Sequence, residues 1–298
     1  MKDGVIVINK GEGITSQGVV TRVKRLFSVK KAGHTGTLDP MATGVLPVML
    51  GRASRASDFL MDSKKHYIAE MKLGFETDTE DITGAVISTS EKIPSEDEVL
   101  LAAGRMVGEI MQIPPMYSAI KVGGKKLMDL ARDGKTVERE PRKITVYSLQ
   151  AEKISDSEYR LDIECSKGTY IRTVCADIGR ALGCGAVMSS LTRAESAGFC
   201  IENAYTLDEL EKMSESDRWS LVIPTDRLFD KYEELTLDAF FARLARHGLE
   251  IYLKKIKKSY TVGTILRMSD TDGFFALGEV REYADGLAVK PIRWFGEV

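Results

Sequence analysis

Several things are missing from this 298-residue sequence. It has no run of about 18 apolar residues, so no helix spanning a bilayer is expected. The opening MKDGVIVINKGEG carries an apolar run of only four residues, Val5–Ile8. That is too short for the apolar region of a signal peptide, and a cytoplasmic location is the default expectation. Histidine occurs three times, with no two residues spaced as a metal pair. The four cysteines, Cys165, Cys175, Cys184 and Cys200, form no C-x-x-C. Reduced, mostly buried thiols are expected, and no bound metal. No dinucleotide fingerprint and no P-loop is present, so no cofactor is expected. The formal net charge of −2 gives the chain no overall basic character.

The charge is segregated, however. Residues 121–143 hold eight Lys/Arg against four Asp/Glu, and residues 243–258 hold six against one. Arg22, Lys24, Arg25, Lys30 and Lys31 lie together with no acid among them. Separate basic segments on a near-neutral chain fit a phosphate-binding face, and equally a set of solvated helix faces.

Val5–Ile8 predicts a first strand. Thr15–Ser16 predicts an N-cap, followed by an amphipathic helix with Val19, Val20, Val23, Leu26 and Phe27 on its apolar side. From Lys31 to Leu46, Gly33, Gly36, Pro40 and Gly44 predict a loop. Tyr67, Ala69, Met71 and Leu73 alternate with Ile68, Glu70 and Lys72, the pattern of a half-buried strand. A helix is expected over Glu96–Ile110, strands over Ile144–Leu149 and Tyr159–Ser166, and a partly helical basic insertion over about 116–143. Ile171, Val174, Cys175, Ile178 and Leu182 predict a helix closed by Gly183. The composition changes near residue 230. Beyond it lie a helical Leu237–His247 and strand-like Tyr260–Leu266, Phe274–Val280 and Leu287–Ile292, which suggest a small β-barrel. The expected division is 1–229 and 230–298.

The loop Gly33-His34-Thr35-Gly36-Thr37-Leu38-Asp39-Pro40 sets a carboxylate before a proline among glycines. An Asp-Pro pair alone is usually a turn that satisfies its own backbone. Here the whole run GHTGTLDPMATGVLPVMLGRAS resembles the central motif of the T-loop tRNA pseudouridine synthases, the family specific for uridine 55. Further segments resemble that family's motifs in the same order. They are Lys64-Lys65-His66-Tyr67 with Leu73-Gly74, Thr77-Asp78-Thr79-Glu80-Asp81 with Gly84, and Pro114-Pro115-Met116-Tyr117-Ser118-Ala119-Ile120-Lys121. After these come Lys167-Gly168-Thr169-Tyr170-Ile171-Arg172 and Leu191-Thr192-Arg193 with Gly198-Phe199. The resemblance covers about residues 1–230 and continues more weakly into a tail similar to the family's small RNA-binding barrel. It departs at Lys10-Gly11-Glu12-Gly13, where a proline is usual after the lysine, at Ala194, where a threonine is usual, and at the Lys254–Lys258 run.

The resemblance implies an α+β catalytic domain with a mixed, largely antiparallel central sheet, plus a small C-terminal PUA-like β-barrel. It implies isomerisation of a tRNA T-loop uridine to pseudouridine by a monomer that needs no cofactor and no obligatory protein partner, with assistance to tRNA folding as a further role. Asp39 would be the essential carboxylate. Arg172 would pair with it, and Tyr67 would stack on the flipped uracil and receive its C5 proton. Tyr170 and Leu191 would line the pocket, and His34 would fill the space that the flipped nucleotide leaves. Read without their motifs, the tyrosines would be ordinary core aromatics and Arg172 a surface ion pair. Three other readings are a non-catalytic RNA-binding protein, a guide-RNA-dependent synthase and a metabolic enzyme with an Asp-Pro loop, the last of which would need a phosphate or cofactor motif that the sequence does not show. The aligned Asp39, Tyr67 and Arg172 speak against the first, and the short N-terminus and near-neutral charge against the second.

Overall fold

In a computed structural model, residues 3–61 and 63–296 are described. The central sheet contains an eight-strand path. In spatial order the strands are Ile223–Pro224, Gly4–Lys10, Thr43–Leu50, Ala186–Ser196, Lys65–Leu73, Glu158–Cys165, Arg142–Lys153 and Gly108–Gln112. Ala32–His34 adds to Thr43–Leu50, and Phe199–Cys200 to Ala186–Ser196. Along the path, only the pairing of Ala186–Ser196 with Thr43–Leu50 is parallel. The sheet is therefore mixed and largely antiparallel.

One face buries the main core. The helix Ser16–Leu26 supplies Val19, Val20 and Val23, and the helix Ile171–Leu182 supplies Ile171, Val174, Cys175 and Ile178. Both follow from three- and four-residue apolar spacing. Thr15 caps the first helix by accepting from the Gly18 N–H at 3.0 Å. Gly183 closes the second in the left-handed region at φ 70°, a conformation that a Cβ makes costly.

The strand Lys65–Leu73 buries Tyr67, Ala69, Met71 and Leu73 on one face, as its alternation predicts. In this sheet three segments depart from expectation. The predicted loop over 31–46 is shorter, because Ala32–His34 and Thr43–Leu50 are strands. Neighbours along most of their length satisfy the backbone of Thr43–Leu50, which overrides its Gly44 and Pro47. The helix expected over Glu96–Ile110 ends at Gly104, and Gly108–Gln112 pairs with Arg142–Val146 instead. Ala186–Ser196 is a strand that sequence periodicity did not bring out.

The tail folds as a five-strand path: Glu233–Thr236, Ile265–Asp270, Gly273–Tyr283, Gly286–Trp294 and Ile251–Tyr252. It curls as a half-barrel around Leu235, Leu266, Met268, Phe275 and Val289, with the helix Ala239–Arg246 against it. Over Tyr260–Leu266 the chain is irregular with a turn at Val262–Gly263, and the strand there begins only at Ile265. A third cluster joins tail and central sheet: Val5, Val7, Val45 and Met49 pack with Phe229, Leu277 and Phe295. Phe229 lies 5.6 Å from Phe59 and 5.2 Å from Phe295 between ring centroids.

Candidate active site

The segment around Asp39 is irregular in backbone but held from several sides. Ser16, the first residue of its helix, receives the Leu38 N–H at 2.8 Å and donates to the Leu38 carbonyl at 3.0 Å. Gly13 N–H donates to the Pro40 carbonyl at 2.8 Å. Lys10 is fully buried, and its ammonium donates to the carbonyls of Gly11, Pro40 and Ala42. Burial pulls the Lys10 amine down to about 8, while the nearby Asp39 charge acts in the opposite direction. Leu38, 3% exposed, anchors the loop in the core beside the carboxylate.

Arg172, on the first turn of the helix Ile171–Leu182, brings its Nε to 3.0 Å from an Asp39 carboxylate oxygen. Its side chain is 6% exposed and that of Asp39 is 37% exposed. The pair is thus buried on the arginine side and open to solvent on the acid side. The other guanidinium nitrogens donate to the carbonyls of Thr79 and Tyr117, each at 2.9 Å. Asp81 lies 3.7 Å from Arg172 and is itself bound by Thr79 and Thr83. Five donors on a planar fork allow one side chain to fix three segments distant in sequence.

Tyr67 lies 7% exposed on the strand Lys65–Leu73, with Ile163 and Arg193 as its cross-strand neighbours. Burial pushes its phenol above the ordinary 10, and the Arg193 charge works against that shift. Leu191, 7% exposed, is on the same face of the neighbouring strand, opposite Ala69. Tyr170 caps the Arg172 helix, and its N–H and carbonyl are both held by the Gln112 amide, at 2.9 and 3.1 Å. His34 ends the short strand Ala32–His34, and its Nδ1 accepts from the Gly36 N–H at 3.3 Å. Burial, helped by the Arg193 charge, lowers the imidazole below its usual value.

Asp39, Arg172, Tyr67 and Leu191 therefore converge on the core-facing side of the sheet, with Tyr170 at the helix entrance and His34 at the start of the loop. Residues not singled out from sequence also belong here. Lys10, Gln112, Asp81 and Arg193 are all buried, and each ties elements together. Lys10, Asp81 and Arg193 lay inside or beside matched motifs, and that placement was the available signal. Gly44 must remain glycine: at φ 101° a Cβ there would come 2.3 Å from the Arg193 carbonyl oxygen. Among the described residues no group of three or more His, Cys, Asp or Glu is arranged to hold a metal. No helix there is long and apolar enough to cross a membrane.

A family model described as the N-terminal domain of the TruB family pseudouridylate synthases matches residues 24–171, and one for the tRNA pseudouridylate synthase B C-terminal domain matches 172–230. The tRNA pseudouridine synthase B of Clostridium tetani is 42% identical over 278 residues, covering 93% of this chain and 95% of that one. Its counterpart in Francisella philomiragia is 43% identical over 282 residues, covering 93% and 91%. Among solved structures, that of a Cbf5-Nop10-Gar1 complex matches 99% of this chain and 85% of its own at 26% identity, with TM-score 0.70. Matched models, relatives and fold together thus define a pseudouridylate synthase. The chain belongs to the TruB family of these enzymes.

Proposed function

We propose that this enzyme converts uridine 55 in the T loop of tRNA to pseudouridine, with Asp39 as the essential carboxylate. The observation that carries the reading is the Asp39–Arg172 pair at 3.0 Å, buried on one side and open on the other, with Tyr67 on the adjoining sheet face. Relatives named tRNA pseudouridine synthase B, 42–43% identical over nearly the whole chain, support tRNA as the substrate.

The reaction breaks the bond between N1 and C1′, turns the freed uracil, and forms a bond from C5 to the same carbon. No electrons leave or enter, and residues alone can do the work. The target must first flip out of the stack, at a cost of a few kcal/mol. Stacking on Tyr67, worth about 1–3 kcal/mol, offsets much of that cost. Tyr170 and Leu191 line the pocket, and His34, held neutral by burial, occupies the space that the base vacates. Asp39 acts on the ribose, as nucleophile at C1′ or as base at C2′, and Arg172 keeps it aimed. Tyr67 then receives the C5 proton while N1 gains one, which completes an isomerisation.

The basic segment 116–143 presents a hairpin, Lys121–Val122 with Lys125–Lys126, and the helix Leu127–Arg132. With the tail, residues 230–298, it forms the RNA-holding part of the molecule, contacting phosphates and reading a folded loop by shape. The enzyme acts in the cytoplasm as a monomer without guide RNA or protein partner. The test is release of tritium from a T-arm stem-loop carrying C5-tritiated uridine. Wild type should release label, and Asp39→Asn should bind the RNA without releasing it. Tight binding with no release by either protein would make the chain a binding or folding factor and overturn the proposal.

A further inference from the structure

Arg193 is among the largest fully buried side chains of the molecule, 1% exposed, and no step so far uses it. It sits on the strand Ala186–Ser196, directly across from Tyr67. The pairing register slips immediately afterwards, so that Glu195, not Ala194, faces His66. A bulge at this point re-aims the strand beside a site. The guanidinium donates from Nε to the Val45 carbonyl at 2.8 Å and from Nη2 to the Gly36 carbonyl at 3.1 Å. Those two carbonyls flank the Asp39 segment on either side. As directly opposed residues of neighbouring strands, Arg193 and Tyr67 lie on the same face of the sheet, both buried.

A cation fully removed from water is costly, and two neutral carbonyls do not balance its charge. A developing anion would. A phenol buried this deeply resists ionisation, yet a tyrosine that accepts the C5 proton must do so as phenolate or while handing its own proton on. Of the groups acting on Tyr67, Arg193 alone favours the ionised phenol, while burial, Cys165 and Asp39 all oppose it.

We propose that Arg193 is a positioning residue for the last step, its fixed guanidinium pairing with the Tyr67 oxygen so that this oxygen can take the proton from C5. In that step the C5–H bond breaks and its electron pair restores the ring double bond; the proton passes to the Tyr67 oxygen as the phenol's own proton leaves through solvent, N1 takes one proton from solvent, and Tyr67 ends as the neutral phenol it began. No other reactant is consumed. The proposal rests on the reading of Tyr67 as the C5 base.

The test uses the full chain and tRNA transcripts carrying either protium or deuterium at C5 of the target uridine. Single-turnover rates are measured for wild type, Arg193→Lys, Arg193→Met and Tyr67→Phe as a function of pH. Arg193→Met should slow turnover about a hundredfold, the lower end of what a positioned proton acceptor contributes. Its C5 isotope effect should rise above that of wild type, and its rate should climb at higher pH. Arg193→Lys retains a charge and should recover part of the rate with a smaller isotope effect. An isotope effect equal to that of wild type in both Arg193 variants would overturn the proposal, leaving Arg193 only as a clamp on the Asp39 segment. If Arg193→Met does not fold, Arg193→Lys decides by the same ratio. Full activity of Tyr67→Phe would remove the underlying reading instead, whatever the Arg193 variants do.

Discussion

Arg172→Met is the most informative single change at the ion pair. In the native site the guanidinium holds Asp39 at 3.0 Å and the carbonyls of Thr79 and Tyr117 at 2.9 Å, with Asp81 at 3.7 Å. Methionine has comparable length and none of these donors. The change leaves two carbonyls and two carboxylates facing a thioether. Breaking a buried charge pair costs about 3–5 kcal/mol. Because the Asp39 side chain is 37% exposed, water screens part of that loss, and the low end, about 3 kcal/mol, is the appropriate figure. At 1.4 kcal/mol per factor of ten, a transition state that feels the whole loss is reached about 150-fold more slowly. Lysine keeps the charge but concentrates its donors at one point and cannot span partners spread around a planar fork, so Arg172→Lys should fall between wild type and Arg172→Met. The assay is single-turnover tritium release at saturating enzyme, alongside RNA binding and urea denaturation. Affinity for RNA should stay nearly constant, because Arg172 lies beneath Asp39 and is almost wholly buried. A rate for Arg172→Met within about threefold of wild type, or less than 0.7 kcal/mol, would refute the reasoning.

Three other outcomes follow from particular contacts. Phe229→Ala empties the aromatic cluster that joins tail and sheet, and should cost about 3–5 kcal/mol in denaturant unfolding; a loss below about 1 kcal/mol would mean that the tail docks by other contacts. Burial lowers His34 below its ordinary 6.5, so the unfolded chain takes up that proton at higher pH than the native one. Stability should therefore fall as pH drops below 6.5, and His34→Gln should flatten that part of the melting-temperature profile; an unchanged slope would refute it. Lys254, Lys255, Lys257 and Lys258 are all exposed on one turn. If they meet phosphates, replacing them with alanine should reduce the slope of log affinity against log salt by about 0.7–0.9 for each phosphate that is no longer neutralised. A slope equal to that of wild type would place this turn off the RNA.

The change in composition near residue 230 marks the start of the tail. The structure ties the tail to the catalytic sheet, with Leu277 and Phe295 packed against Val5, Val7 and Met49 and with Arg293 on Asp58 at 3.0 Å. Deletion would expose that apolar cluster, so surface lysines are the cleaner probe of tail–RNA contact.

What the amino-acid sequence determined alone is whatever is written locally. The Asp39 segment was legible because its residues are contiguous, and the helix Ile171–Leu182 because its apolar spacing and its closing Gly183 lie within thirteen residues. The strand bearing Tyr67 was legible because strict alternation exposes one face of a sheet. Tertiary structure alone decided the rest. Thr43–Leu50 is a strand despite Gly44 and Pro47, because neighbours on either side supply its hydrogen bonds. Lys10, Gln112 and Arg193 gain meaning only when the carbonyls and amides they bind, up to 157 residues away in the chain, are brought within reach. The physical reason is one of range. Periodicity reports which face of an element meets the core, whereas the partner of a buried charge is set by sheet order and register, which depend on the whole chain at once.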